Sequence, residues 1–150
     1  MRLRDIFRRI RDVVNKDSLH DNISINSEVR IYLVKDGKTL QSYITKNTWT
    51  PDGCIEIAKF LQSGSAYRPS SISCDGTGGS SIQPAGISRE TSIVIYDATW
   101  AASEPERSGI NTFRLEGNGL TFAITAAPTQ LIKPEGVEMK IYWRNTISGV

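Results

Sequence analysis

The first hydrophobic pattern along the chain is helical. Leu3, Ile6, Ile10 and Val13 recur at 3-4-3 spacing, and Phe7 and Val14 widen the stripe. That period predicts an amphipathic helix of about four turns with its arginines on the other face. Asn15-Lys16-Asp17-Ser18 and Asp21-Asn22 then stop the helix and predict a polar linker over 17–27. From Glu28 the period changes to two. Val29, Ile31 and Leu33 alternate with Arg30 and Tyr32, Lys35-Asp36-Gly37-Lys38 marks a turn, and Leu40, Ser42 and Ile44 alternate on the way back. Asp-Gly between two alternating runs is a strong hairpin signal. Helical character returns once, with Thr50 as cap, Pro51 at the first helical position and Asp52 complementing the dipole. Cys54, Ile57, Ala58 and Leu61 form the apolar stripe of this second helix, and Gly64 ends it.

Residues 63–91 are rich in Ser, Gly and Pro. They predict one short strand at Ser70 to Cys74, then a flexible loop over Asp75-Gly76-Thr77-Gly78-Gly79-Ser80. Ile93 and Ile95 mark a strand, and Ala98 to Gly109 reads as a longer connection. Ile110 to Leu115 and Leu120 to Ala126 flank Glu116-Gly117-Asn118-Gly119 as a second hairpin. In the last strand Val137, Met139, Ile141 and Trp143 alternate with Glu138, Lys140, Tyr142 and Arg144. Short strands punctuated by turns predict a mainly β fold: an antiparallel β-sandwich of about seven strands with one short packed helix. The predicted organisation is a basic helical arm over 1–16, a linker over 17–27 and a sandwich domain over 28–150.

Charge sharpens that division. The 150-residue chain has a net charge of +2. Its first sixteen residues carry Arg2, Arg4, Arg8, Arg9, Arg11 and Lys16 against Asp5 and Asp12, a net +4, so the remainder sums to −2. A basic head on a faintly acidic body is not a uniformly basic nucleic-acid binder. The head lacks the apolar core of a secretory signal, so export is not expected. Cys54 and Cys74 stand twenty positions apart with no second pair. Two buried free thiols are the expectation, with a disulfide as the alternative.

Candidate chemistry is sparse. The single histidine, His20, sits beside Asp21 in the predicted linker, where catalytic geometry is hard to hold. Gly76-Thr77-Gly78-Gly79 lacks the Lys-Ser/Thr and the helix start that a phosphate loop requires, so it reads as a connection. Trp143 falls in the core register and Trp49 precedes the capped helix; Trp100 is the one tryptophan expected at the surface, where it and the Gly76–Ser80 loop would suit a carbohydrate-binding module. Neither catalytic residues nor a cofactor or metal site are expected. The arm is the candidate site. Leu3, Ile6, Phe7, Ile10 and Val13 would bury against a protein partner while Arg4, Arg8 and Arg11 orient it, a reading preferred over nucleic acid or an anionic membrane surface.

The order of several stretches resembles small structural proteins from the virions of tailed bacteriophages. They are Val34-Lys35-Asp36-Gly37, Asn47-Thr48 leading to Ile57-Ala58-Lys59-Phe60-Leu61, Asp75-Gly76-Thr77-Gly78, Ser88-Arg89-Glu90 and Met139-Lys140-Ile141-Tyr142-Trp143. The resemblance covers roughly 28–147 and leaves out the basic head. Cys74-Asp75 stands where an apolar residue would be expected. The resemblance implies a non-catalytic virion protein assembled in the bacterial host cytoplasm. Tail, neck or baseplate components would be its partners, with fibres anchored through it; a capsid decoration or cement role is the alternative. A homo-oligomer of three- or sixfold symmetry, formed through the head, and no membrane partner complete the expectation.

Overall fold

The computed structural model describes residues 3–4 and 23–149. Among residues 23–149, nine strands and one helix follow one another: β1 (Ile23–Lys35), β2 (Lys38–Trp49), α1 (Pro51–Ser63), β3 (Ser71–Cys74), β4 (Ile82–Pro84), β5 (Gly86–Glu90), β6 (Ile93–Trp100), β7 (Arg107–Gly117), β8 (Leu120–Lys133) and β9 (Glu138–Gly149). Every pairing is antiparallel, in the order β4-β3-β7-β8-β2-β1-β9-β6-β5. The mainly β, antiparallel class with one short packed helix is therefore as expected for the described domain. The architecture differs from two separate sheets of about seven strands: one nine-stranded sheet curls until it is nearly a closed barrel.

Two bending segments make the corners. β2 pairs with β1 over Lys38–Lys46 and with β8 over Asn47–Trp49. The two ends of the strand order, β4 and β5, are separated in sequence by Ala85 alone. One pairs with β3 and the other with β6, so the chain itself bridges the gap in the sheet. Both tight hairpins form as the sequence predicts. Asp36 and Gly37 (φ 49° and 78°) and Asn118 and Gly119 (φ 52° and 75°) supply the two positive φ angles of the turn that matches strand twist.

The interior is one apolar cluster drawn from most of the strands, including Val29 and Ile31 of β1, Ile72 of β3, Phe113 and Leu115 of β7, and Met139 and Ile141 of β9. Trp143 lies in it, as expected. Trp100 corrects its expectation: it is fully buried, packs edge-on to Phe113 with ring centres 6.4 Å apart, and donates its indole N–H to the Ser80 carbonyl at 2.9 Å. The strand β6 runs as far as Trp100 and β7 starts at Arg107, so the connection expected over 98–109 shortens to six residues.

The expected linker also contracts. Residues 23–27 pair with 145–149 of β9, continuing the β1 ladder without a break, so the sheet starts five residues before Glu28. Ser24, Asn26 and Ser27 conceal the alternation of Ile23 and Ile25 in composition, although not in period. Cys54 and Cys74 are free and buried, and burial pushes both thiols up.

Candidate functional site

The glycine loop is built around a cation. Arg107, 6% exposed, donates Nε to the Asp75 carbonyl at 3.0 Å, Nη1 to Gly78 at 2.7 Å, and Nη2 to Gly76 at 3.1 Å and Cys74 at 3.3 Å. Gly76 and Gly78 adopt positive φ, and a Cβ on either would drive into the Ser108 or Glu106 carbonyl. A phosphate cradle turns amide N–H groups inward; this loop turns its carbonyls inward onto a guanidinium. Asp75 completes the clasp by accepting the Asn111 and Thr112 amides at 2.7 and 3.0 Å. Burial alone would raise its carboxyl, but the Thr112 and Asn111 amides hold it below its ordinary value. The segment predicted as a flexible loop is thus internally satisfied structure.

A second buried cation lies nearby. The fully buried Lys133 donates Nζ to the Glu104 and Pro134 carbonyls at 2.9 and 3.1 Å, and burial lowers its pKa. Gln83 Nε2 reaches Glu104 Oε1 at 2.8 Å, tying β4 to the β6–β7 connection. Among the described residues no group of three or more His, Cys, Asp or Glu is placed to hold a metal ion.

The feature that faces outward is a groove of about 610 Å³ between α1 and the end of the sheet formed by β1, β9, β6 and β5. One wall is the helix and the segment after it, with Ile57, Phe60, Leu61 and Tyr67. Ile25, Ile147, Val94 and Ile87 form the other. Sheet register explains that second wall: Ile25 pairs with Ile147 and Ile87 with Tyr96, so these side chains prolong the interior face beyond the core. Tyr96 and Phe122 line the deeper part, and burial pushes the Tyr96 phenol up. Arg68 and Arg89, both exposed, flank the groove.

Local chemistry holds the helix at the angle that leaves this groove. The Thr50 hydroxyl accepts the Gly53 amide at 3.0 Å and itself donates to the Thr121 carbonyl of β8. Gly53 lies so close to β8 that a Cβ there would occupy the space of the Phe122 carbonyl. The side of the helix start that faces β8, with Gly53, Cys54 and Glu56, is therefore buried. Later turns lift away, leaving Phe60 and Leu61 each 49% exposed. Leu61 was expected on the buried stripe, and Phe60 was not assigned to a face. Glu56 fixes the far wall by accepting Lys59 Nζ on Oε1 and the Tyr67 amide on Oε2, both at 3.0 Å. The Lys59 hydrogen bond holds its carboxyl below the ordinary value against the opposing effect of burial. Below the groove, Trp49 Nε1 donates to Ser27 Oγ at 3.1 Å, which donates to Asn145 Oδ1 at 2.7 Å.

The outer face of β1 and β9 carries a shallower concavity of about 690 Å³ with Arg30, Tyr32, Tyr142 and Arg144. Tyr32 and Tyr142 meet edge-on at 5.7 Å, Arg30 pairs with Glu28 at 3.0 Å and Lys140 with Glu138 at 3.3 Å. The Arg30–Glu28 and Lys140–Glu138 pairs are half-exposed neighbours on a solvated sheet face.

Of the residues expected to dock a partner, Leu3 is helical and half-buried and Arg4 is helical and exposed. Ile6, Phe7, Ile10, Val13, Arg8 and Arg11 lie outside the described residues, as does His20. Sequence reasoning missed the groove and the role of Arg107. The groove joins side chains from seven elements and the segment after α1, and no local period says which of these elements meet. An isolated Arg before Ser-Gly likewise does not announce its loop thirty residues upstream. Among the described residues no helix is long and apolar enough to cross a membrane. Comparison with protein-family models, with curated proteins and with solved structures finds no match.

Proposed function

We propose that the chain is a non-catalytic assembly protein of a tailed-bacteriophage particle, attached to tail, neck or baseplate components through its N-terminal segment. One observation supports this reading most. The outward-facing apolar groove includes Ile25, two residues after the sheet begins, and the apolar stripe of residues 3–14 lies a short stretch upstream of that point in the sequence. Exposed apolar surface of this kind marks interaction sites. The buried cations Arg107 and Lys133, and the exposed carboxylate of Asp75, are by contrast spent on holding loops. The order of motifs across 28–147 supplies the particle context, and any closed ring would follow the symmetry of the neighbouring particle components.

Particle incorporation tests the reading. Full-length Ile6→Asp and Ile10→Asp proteins, supplied in place of the wild type during assembly, should be lost from purified particles, while Arg8→Gln with Arg9→Gln should be retained at reduced occupancy. Normal incorporation of the Ile variants would refute attachment through the arm. Particles that never contain the wild-type chain would refute the virion assignment itself.

A further inference from the structure

We propose that the groove between α1 and the β5–β6–β9 end of the sheet is the seat of the chain's own residues 3–14, held there in cis until a partner displaces them. The inference needs only the arm and the groove, so it stands or falls separately from the virion reading. Ten large apolar side chains are exposed among the described residues, and five of them, Phe60, Leu61, Tyr67, Ile87 and Ile147, line this single groove. Their exposures run from 41% to 56%, a concentration that calls for a cover.

The point where the chain enters the sheet identifies the covering segment. β1 begins at Ile23 and Ile25 already lines the groove, so the arm emerges at the groove's mouth. The twelve residues from Leu3 to Val14 would make a helix about 18 Å long. The eight residues from 15 to 22 can span at most about 26–29 Å. A tether that short keeps the arm at an effective concentration on the order of millimolar at its own groove, far above that of a second copy in dilute solution. A short amphipathic helix is marginal alone and gains stability only when its stripe is buried. Leu3, on the stripe, is half-buried and Arg4, off it, is exposed.

Charge makes the proposal specific. On a helical projection Arg2 and Arg9 flank one side of the stripe and Arg4 and Arg11 the other, while Asp5 and Asp12 lie opposite it. The charged lining of the groove is Arg68, Arg89 and Glu56, and the carboxylate of Glu56 is already taken by Lys59. Docking of this arm therefore works against like-charge repulsion and is carried by apolar burial, so salt should tighten it. An acidic partner segment in the same groove would loosen with salt.

Hydrogen exchange on the dilute full-length chain tests this. The amides of residues 3–14 should be protected about tenfold or more over free-chain rates. That protection should hold or rise at about 0.5 M salt, where the Debye length is only a few ångströms. It should vanish in Ile10→Asp, in Leu61→Asp and in Ile87→Lys, which sit on the arm and on opposite walls, while β9 amides keep theirs. The two groove variants change half-exposed side chains, so at least one should retain the sheet. Free-chain exchange of the wild-type arm would overturn the proposal. So would protection that survives both wall variants, or protection that grows with protein concentration alongside a dimer mass, which would mean exchange of arms between copies.

Discussion

Replacing Arg107 by Met should unlatch the glycine loop and cost about 3–5 kcal/mol, the range for removing one side of a buried charged network. The figure follows from the hydrogen bonds. Four carbonyls, of Cys74, Asp75, Gly76 and Gly78, accept from one guanidinium within 3.3 Å. Hydrogen bonds to a charged group contribute roughly 1.5–3 kcal/mol each, but not additively. Gly78 and Asp75 are exposed and can take water in exchange, whereas Cys74 is 7% exposed and its carbonyl is left with less access. Met fills a similar apolar volume, so the loss is polar rather than a cavity. For a domain of this size each kcal/mol moves the midpoint by about 2–4 °C, giving a fall of about 6–20 °C by calorimetry. Arg107→Lys should lie between, because an ammonium cannot satisfy a fork of carbonyls. Hydrogen exchange should speed up first over Asp75–Ser80 and at the Ser108 amide, which bonds the Thr77 carbonyl. A Met variant melting within about 2 °C of wild type would show that the glycines hold the loop without the cation and would refute this account.

Three further outcomes are expected. Gly53→Ala should lower stability by about 1–3 kcal/mol in urea unfolding despite the better helix propensity of Ala, because the new Cβ meets the Phe122 backbone; an unchanged midpoint would mean that α1 is free to lift off β8. Glu56→Gln should loosen the Tyr67 wall near neutral pH, and the difference from wild type should disappear in acid. The sign follows from a carboxyl whose folded pKa is lowered: its stabilisation is present above the ordinary Glu value and is lost as pH falls through the folded value, so melting curves at about pH 7 should differ and those at about pH 3 should converge. Asp36→Ala with Gly37→Ala places two ordinary residues at positive φ and should destabilise the β1–β2 hairpin by about 1–2 kcal/mol or more, read as faster amide exchange at Lys35 and Lys38; unaltered exchange would show a turn relaxed to another type.

What was legible in the sequence is what repeats locally. The Asp36-Gly37 and Asn118-Gly119 turns, the Thr50–Gly64 helix limits and the alternation of β9 all rest on residues adjacent in sequence, and each appears as expected. The missing strands show the limit. β4 and β5 span three and five residues, expose Ile82 and Ile87, and are punctuated by Pro84 and Gly86, so their period of two has no core face to reveal it. They are strands because β3 and β6 present unpaired edges, a tertiary cause invisible to local pattern. Trp100 misled for a related reason. Read in the string Asp97-Ala98-Thr99-Trp100 it ends a strand and begins a loop, but the glycine loop twenty residues upstream offers the Ser80 carbonyl, the partner that lets an indole be fully buried.

The same geometry that closes the sheet accounts for the groove. In a barrel completed by uniform strands the interior face ends in loops that cap it. Here β1, β9 and β6 run on past the core, keeping Ile25, Ile147 and Val94 on the interior side, while the opposite wall at that level is the splayed helix and not a strand. The helix cannot swing in, because its first turn is fixed to β8 through Gly53 and Thr50 and its second is tied to Tyr67 through Glu56. An apolar cleft held open by polar ties at both ends of one wall is a built feature, since collapse would otherwise bury it at no cost in hydrogen bonds. The sheet itself begins beside this cleft, since Ile25, two residues into β1, lies on its wall, and that is why this one surface carries the functional reading.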